Sequence, residues 1–417
     1  MTASNDPTRG KVIATWAGID VSVDLLRALA QALHEAGQPA HRVEDTVLRA
    51  SQRLQTPLSI FCVATGMLLS FDRKEGPVTY VLRTQATAIN MERLGDLTSI
   101  AEQLIEGTIT AADARARIAA IRRAPPRWGR LATIAAYVLS AAAFSVFFAG
   151  GLGELAASTG VGLVVGILAV AMARVRTSSR LFELCAAAAA ALAAGLANGL
   201  VGLSVDWCPL AAGLIILLPG ISLVDAMEEL AHGHLASGGA RLAGVGVVFL
   251  AMTFGTVIGE ALADQLPGET SLLEPVALPA WTVVPALLVV ALGSTMRFRA
   301  RPIDLGMILI SSIVAWAGSR YGLALAGPLA GPFLGSLLLG LAGVVYGRLR
   351  RRAPELFIIP GLALLVPGSM GLRSVSSLLS ENTTAGIDIL FHMFMVAMAL
   401  VAGLLFSNSL LRERRAV

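Results

Sequence analysis

From residue 131 to residue 408 the chain is almost continuously apolar, interrupted only by short charged or turn-forming stretches. A helix needs an apolar run of about 20 residues to cross about 30 Å of hydrocarbon, and a chain that repeats such runs has to place them in lipid. Ten runs are delimited, at about 131–149, 153–172, 182–203, 208–226, 241–262, 278–296, 303–319, 322–346, 355–372 and 386–408. Composition closes the soluble alternative: 55% of the 417 residues are hydrophobic and 14% charged, against about 25% charged in a typical soluble domain. Mean hydropathy is +0.73. Three cysteines make no disulfide framework. The expected fold class is a polytopic α-helical membrane protein.

Residues 1–130 differ. They hold 16 of the 32 basic and 13 of the 28 acidic residues, enough charge for a soluble domain. The first residues, with Asn5, Asp6, Arg9 and Lys11, have no apolar core, so no signal peptide is expected, and 1–18 reads as a disordered tail. Val21, Leu25, Leu29 and Leu33 recur at helical spacing over 20–36, and Gly37 then Pro39 end that helix. A second helix is expected at about 41–54. The period then changes. Leu58–Val63, Met67–Phe71 and Val78–Leu82 are short, apolar and partly β-branched, with Gly66 and Lys74-Glu75-Gly76-Pro77 between them, the pattern of a small antiparallel sheet. Helices at about 91–106 and 111–122 follow. Gly107 ends the first, and Thr110 with Asp113 forms a capping box for the second. The domain, 19–123, is therefore α+β. A linker over 124–130, in a stretch with two prolines, four arginines and Trp128, suits the headgroup layer.

Orientation follows from the arginines between the apolar runs. With the N-terminal domain cytoplasmic, the inner loops and C-terminus carry 14 arginines (Arg174, Arg176, Arg180, Arg241, Arg297, Arg299, Arg301, Arg348, Arg350, Arg351, Arg352, Arg412, Arg414 and Arg415) and the outer loops only Arg320 and Arg373. Both termini are expected inside, with 409–417 as a cytoplasmic tail and 263–277 and 373–385 outside. Leu364-Leu365-Val366-Pro367-Gly368 repeats Ile216-Leu217-Leu218-Pro219-Gly220 at an offset of 148 residues, and the same offset carries runs 1–5 onto runs 6–10. Five helices is an odd number, so the second repeat (278–408) is inverted with respect to the first (131–262). Inverted repeats with interrupted helices are a transporter pattern, with the site at the midplane. Pro219-Gly220 falls near the middle of run 4 and Pro367-Gly368 within run 9, which has a further Pro360-Gly361.

Leu218-Pro219-Gly220, Asp225, Gly233, Gly239 and Arg241, with Pro360-Gly361 and Val366-Pro367-Gly368 downstream, resemble the threonine/serine exporter family. In the soluble part Gly37, Arg42-Val43-Glu44, the sheet ending at Arg83 and Ile109-Thr110 agree. The resemblance runs from about residue 20 to 408. It implies a cytoplasmic N-terminal domain, ten spans and proton-driven export of small amino acids. Some relatives divide the two halves between two chains and are linked to dicarboxylate export, so the family does not fix the substrate.

Candidate residues fall into two sets. Around the interruptions stand Pro219, Gly220, Ser222, Pro360, Gly361, Pro367, Gly368 and Ser369, as substrate-binding positions. The two serines have an alternative use, bonding the preceding turn's carbonyls. For proton coupling or gating stand Asp225, Arg241, Arg373, Asp388 and His392. Asp225 either serves a site opened by the interruption or simply begins the cytoplasmic loop with Glu228 and Glu229. Arg241 is either a positive-inside anchor or the partner of Asp225. Arg373 is the repeat-equivalent of Asp225. Asp388 and His392 share a helix face at i and i+4, where His392 is a proton relay or a packed polar residue. Glu154, Glu183 and Glu260 are read as interfacial, Asn198 as joining helices or binding substrate, and Cys185 and the Gly331/Gly335 pair as packing. His232 and His234 alternate on a loop without a nearby cysteine, so no metal is expected. His34, Glu35, His41, Glu44 and Asp45 are read as helix-end residues on a solvated face.

The soluble domain carries no phosphate loop, nucleophile elbow or metal-ligand pattern. The expectation is a secondary exporter of small amino acids of the threonine/serine kind, antiporting protons, and not an enzyme. It needs no cofactor, acts in the bacterial cytoplasmic membrane, engages lipid but no nucleic acid, and leaves a homo-oligomer open. The alternatives are a dicarboxylate exporter and a membrane-anchored enzyme or sensor.

Overall fold

The computed structural model describes residues 21–74, 76–84, 88–174, 179–201, 207–265, 278–379 and 383–412. The expected tail 1–18, most of the expected outer loop 263–277, residues 380–382, Arg176, Arg414 and Arg415 lie outside the described residues.

The N-terminal part runs α1 (Val21–Glu35), α2 (Ala40–Arg53), β1 (Leu58–Val63), β2 (Gly66–Phe71), β3 (Val78–Arg83), α3 (Met91–Glu106) and α4 (Ala111–Arg123). The strands form an antiparallel meander, β1-β2-β3. Its period-2 alternation sends Cys62, Met67, Leu69 and Phe71 inward, where they meet Leu25, Leu29 and Leu33 of α1 and Leu94, Leu97 and Leu104 of α3. Gly37 stops α1 with φ +93°, and Gly107 caps α3 with φ +78°. Thr110 Oγ1 accepts from the Asp113 amide at 3.1 Å. The expected capping box is half made: the Thr110 hydroxyl donates to the Asp113 carboxylate, which therefore does not reach back to the Thr110 amide.

The second part consists of α5 (Arg130–Phe147), α6 (Leu152–Met172), α7 (Ser179–Val201), α8 (Trp207–Leu214), α9 (Gly220–Ala231), α10 (Leu235–Ala263), α11 (Val283–Arg297), α12 (Leu305–Ala326), α13 (Ala330–Arg350), α14 (Glu355–Leu365), α15 (Gly368–Leu379) and α16 (Thr383–Arg412). Among the described residues nine segments are long and apolar enough to cross a membrane. Run 4 is not among them, because it folds as two short helices, α8 and α9, around non-helical residues 215–219. Proline lacks the amide that a continuing helix requires, and Pro219 becomes the residue preceding α9. In run 9 only two residues separate α14 from α15, and Val366 before Pro367 is extended (φ −66°, ψ 139°), as a residue preceding proline prefers.

Pro360-Gly361 makes no second interruption in run 9. Helix α14 continues through Pro360. The Ser311 hydroxyl donates to the Phe357 carbonyl at 2.5 Å, supplying a partner close to where the ring disturbs the ladder. A Cβ built on Gly361 would lie 2.6 Å from Leu339 Cδ1 and from Ser311 Oγ, so this glycine serves close packing of α14.

Helix partners correspond between the halves. Helix α6 packs on α8 as α12 packs on α14, α7 on α10 as α13 on α16, and α9 on α10 as α15 on α16. Across the halves, α9 meets α16 and α15 meets α10. The ends of α5 and α11 share one backbone turn: Phe148 and Phe298 cap the helices, Ala149 and Arg299 take φ +59° and +50°, and the next amides bond Ser145 O at 3.0 Å and Thr295 O at 2.9 Å. At the centre the two interruptions touch. A Cβ built on Gly220 would lie 3.0 Å from Val366 Cβ, and one built on Gly368 would lie 2.9 Å from Leu218 Cβ.

Gly220→Val is therefore expected to overpack this contact and to cost about 1–3 kcal/mol. Gly239→Ala, where an added Cβ meets nothing within 4 Å, should leave stability unchanged. Thermal loss of the monodisperse gel-filtration peak in detergent measures both; a Gly220→Val protein as stable as the unsubstituted one would refute the close contact.

Candidate functional site

A cavity of about 640 Å³ opens between the N-terminal part and the first interruption. Leu218, Pro219, Ser222 and Asp225 line it from the break and α9, Arg241 from α10, Arg297 from α11, and His34 and Gln38 from the soluble part. Helical spacing explains the α9 set: Ser222, Asp225 and Glu229 recur at i, i+3 and i+7 on one face. Gly233, at φ +83°, turns the chain between α9 and α10 and brings Arg241 back against that face.

Arg241 is held mainly by Glu229. Its guanidinium donates to the two Glu229 carboxylate oxygens at 2.8 and 3.3 Å, whereas Asp225 lies 3.9 Å away. The Glu229 side chain has no exposure and also accepts the Ala40 amide at 3.1 Å. Glu229 is therefore not the start of a loop; it links α10, α9 and the soluble part at one carboxylate.

Arg297 was expected only as an inner-loop charge. The structure turns it into the cavity, where its Nη2 donates to the Ile216 carbonyl at 3.0 Å. Ile216 stands in the non-helical stretch before Pro219, so Arg297 satisfies a carbonyl that the interrupted helix leaves open. Among the described residues no carboxylate lies within ion-pair distance of Arg297, and its remaining donors face the cavity and the Phe298 ring. The sequence signal is faint: an arginine that directly ends an apolar run.

The other candidates are dispersed. Ser222 lines the cavity; Ser369 is half-buried beyond the second interruption and does not. Pro360 and Gly361 pack α14 and stay away from it. Arg373 stacks on Trp207, 4.5 Å from the ring centroid. Asp388 is exposed and His392 half-buried on α16; they form no ion pair with each other and do not line the cavity. Glu154 accepts its own helix's Gly151 amide at 2.8 Å, and Glu183 lines the cavity.

The helix-end residues expected on a solvated face are largely covered. His34 is 1% exposed, and burial, then the Arg241 charge, lower the affinity of its imidazole for a proton. His41 and Glu44 face the end of α9 and its turn: His41 Nε2 is 3.5 Å from Glu228 Oε1, and Glu44 Oε2 is 3.7 Å from His234 Nδ1. Arg42 pairs with Glu355, whose charge holds its guanidinium protonated still more firmly. Only Asp45, and in part Glu35, fit the solvated reading. Burial, with Glu44 adding to it, pushes the Cys62 thiol up to about 12, an inert group.

Comparison with known proteins gives a consistent answer. The threonine/serine exporter family model matches residues 24–263, and its companion, described as Threonine/Serine exporter, ThrE, matches residues 284–410. Several similar curated proteins from fungi are called pheromone-regulated membrane protein 10. The one from Candida albicans is 27% identical over 374 residues, covering 86% of this chain and 33% of that protein. Those from Eremothecium gossypii and Saccharomyces cerevisiae are 24% and 23% identical, covering 86% and 91% of this chain and 49% and 51% of theirs. The chain thus spans between a third and a half of the length of these relatives. No solved structure matches.

Removing one member of a buried pair leaves the other charge uncompensated, at about 3–5 kcal/mol. Glu229→Gln should approach that cost, and Asp225→Asn, which loses only the 3.9 Å contact, should cost clearly less. Thermal unfolding in detergent ranks the two. The reverse order would mean that Asp225 is the principal partner of Arg241.

Proposed function

Because the chain belongs to the threonine/serine exporter family, we propose that it exports small amino acids of the threonine/serine kind through the cavity beside its first interruption, in exchange for protons. The observation that carries this reading is the cavity's composition: an interrupted helix, an acid and a cation with no counter-ion among the described residues line one space. A zwitterion needs complementary groups for both of its charges. Asp225 receives the ammonium. Arg297 and the amide end of α9 receive the carboxylate, since exposed N–H groups and the helix dipole favour an anion there. A buried guanidinium is costly without an anion, and the substrate carboxylate supplies one.

In this reading Pro219-Gly220 and Pro367-Gly368, with Ser222 and Ser369, are the moving centre of two inverted five-helix repeats. The corresponding helix partners, the shared turn at Phe148 and Phe298 and the contact between the breaks support that symmetry. Run 4, though broken, completes ten crossings, which keeps both termini on the cytoplasmic side of a bacterial cytoplasmic membrane. Asp225 carries the proton, Arg241 holds the inner gate, and Arg373, Asp388 and His392 serve the outer half. The work is transport, without a cofactor and without catalysis. A dicarboxylate is the second reading, favoured by Arg241 as a second cation on the same cavity.

Efflux from loaded proteoliposomes under an imposed pH gradient tests the assignment. Threonine or serine should leave and succinate should not; the opposite preference selects the second reading, and movement of neither refutes both. Pro219→Ala and Pro367→Ala should each abolish efflux per inserted molecule, the glycines being kept because a Cβ there would strike the opposite break. Arg297→Gln should reduce it at least about tenfold, the loss of a charge-assisted bond of about 1.5–3 kcal/mol. Near-normal rates in the proline variants would reduce the interruptions to packing geometry.

A further inference from the structure

The chain has five histidines, and three of them meet where the soluble part faces the end of α9. His41 stands on α2, Glu228 is buried on α9, and His232 caps that helix. One ligand-capable atom from each lies within 4.8 Å of the other two. Two ligands on a tetrahedral zinc, at about 2.0–2.1 Å from the metal, stand about 3.3 Å apart; His41 Nε2 and Glu228 Oε1 are 3.5 Å apart. The His41 and His232 rings are stacked with centroids 4.7 Å apart, and His234 stands beside them, its ring 6.0 Å from that of His41.

The second nitrogens decide what the imidazoles offer. His232 Nδ1 lies 2.8 Å from the Glu228 carbonyl. A carbonyl only accepts, so Nδ1 carries the hydrogen and Nε2 keeps its lone pair free. A metal-binding histidine is typically fixed in this way, by an outward N–H on a backbone carbonyl. His41 meets Glu228 through Nε2, so Nε2 is its ligating nitrogen, while its Nδ1 is buried without a hydrogen-bond partner. Glu44, the neighbour of His234, is itself fixed by the Cys62 amide at 2.6 Å.

We infer that His41, Glu228 and His232 form a binding site for a transition-metal dication of the zinc class, with His234 or water as the fourth ligand. Two imidazoles and one carboxylate suit zinc; magnesium and calcium prefer oxygen alone. The nearby Arg42, 3.9 Å from Glu228, opposes a cation, but its pairing with Glu355 offsets that charge. A polar cleft of about 1390 Å³, lined by His41, Glu228, His232 and His234, gives an ion access. Ligands come from α2 on one side and α9 on the other, so a bound ion ties the soluble part to the helix that begins at Pro219. The inference is independent of the transport reading.

The full chain in detergent, stripped with a chelator and titrated calorimetrically with Zn²⁺, tests it. One ion per chain is expected. His232→Ala, at an exposed position, and Glu228→Gln, which keeps the shape, should each weaken binding by at least about tenfold. Co²⁺ in the unsubstituted protein should give the intense visible bands of a tetrahedral site, a readout that needs no variant. Absence of stoichiometric binding, affinity unchanged in both variants, or the pale spectrum of six-coordinate cobalt would each overturn the site.

Discussion

A helix interrupted at membrane depth leaves amides and carbonyls that lipid does not solvate, so the interruption has to be closed by protein or by a polar cavity. This chain closes its two interruptions against each other. Leu218 to Gly220 packs on Val366 to Gly368 at a distance only glycine permits, and the Ile216 carbonyl is taken by Arg297. The rest of the architecture follows from that contact. Helices α9 and α15 start at the breaks, each crosses to the long helix of the other half, and the cavity opens where the first break meets α10 and α11.

The N-terminal part is bonded to the same centre. The Ala40 amide reaches Glu229, the Met91 amide donates to the Phe298 carbonyl at 2.8 Å, and the Trp128 indole donates to the Ala300 carbonyl at 2.8 Å. Arg301 pairs with Asp96 at 2.6 Å, but both side chains are about a third exposed, and such a pair contributes only about 0–1 kcal/mol. The buried apolar contact of Met91 with Phe298, Ala300 and Leu356, together with the backbone bonds, outweighs it. Helix α9 is thus bonded directly to the start of α2 through Glu229.

Much of this was legible in the residues. The period change at Leu58, the stop at Gly37 and the Gly107–Thr110 signals place the N-terminal elements to within a residue or two, because local backbone chemistry decides them. The Pro-Gly pairs at 219–220 and 367–368 located both interruptions, since proline acts on its own helix. Pro360 misled for the same reason in reverse: a neighbouring hydroxyl on α12 repaired what proline disturbs locally. The site's polar groups were harder. Glu229 and Ala40 stand 189 residues apart, His41 meets His232 across a similar gap, and Arg297 reaches Ile216 from another helix. No spacing rule predicts such meetings, so Arg297 read as an ordinary inner arginine and His41 as a solvated helix end.

We propose that the two touching interruptions part in each transport cycle. With the native Cys62, Cys185 and Cys208 replaced, Gly220→Cys combined with Val366→Cys puts Cβ atoms about 3.0 Å apart against a usual about 3.8 Å in a disulfide, so the breaks shift by less than about 1 Å to accept the bridge, and efflux by the reduced double variant is the reference. Oxidation should lock the breaks together and stop efflux from proteoliposomes, and reduction should restore it. Full efflux from the quantitatively cross-linked protein would mean that the breaks need not part.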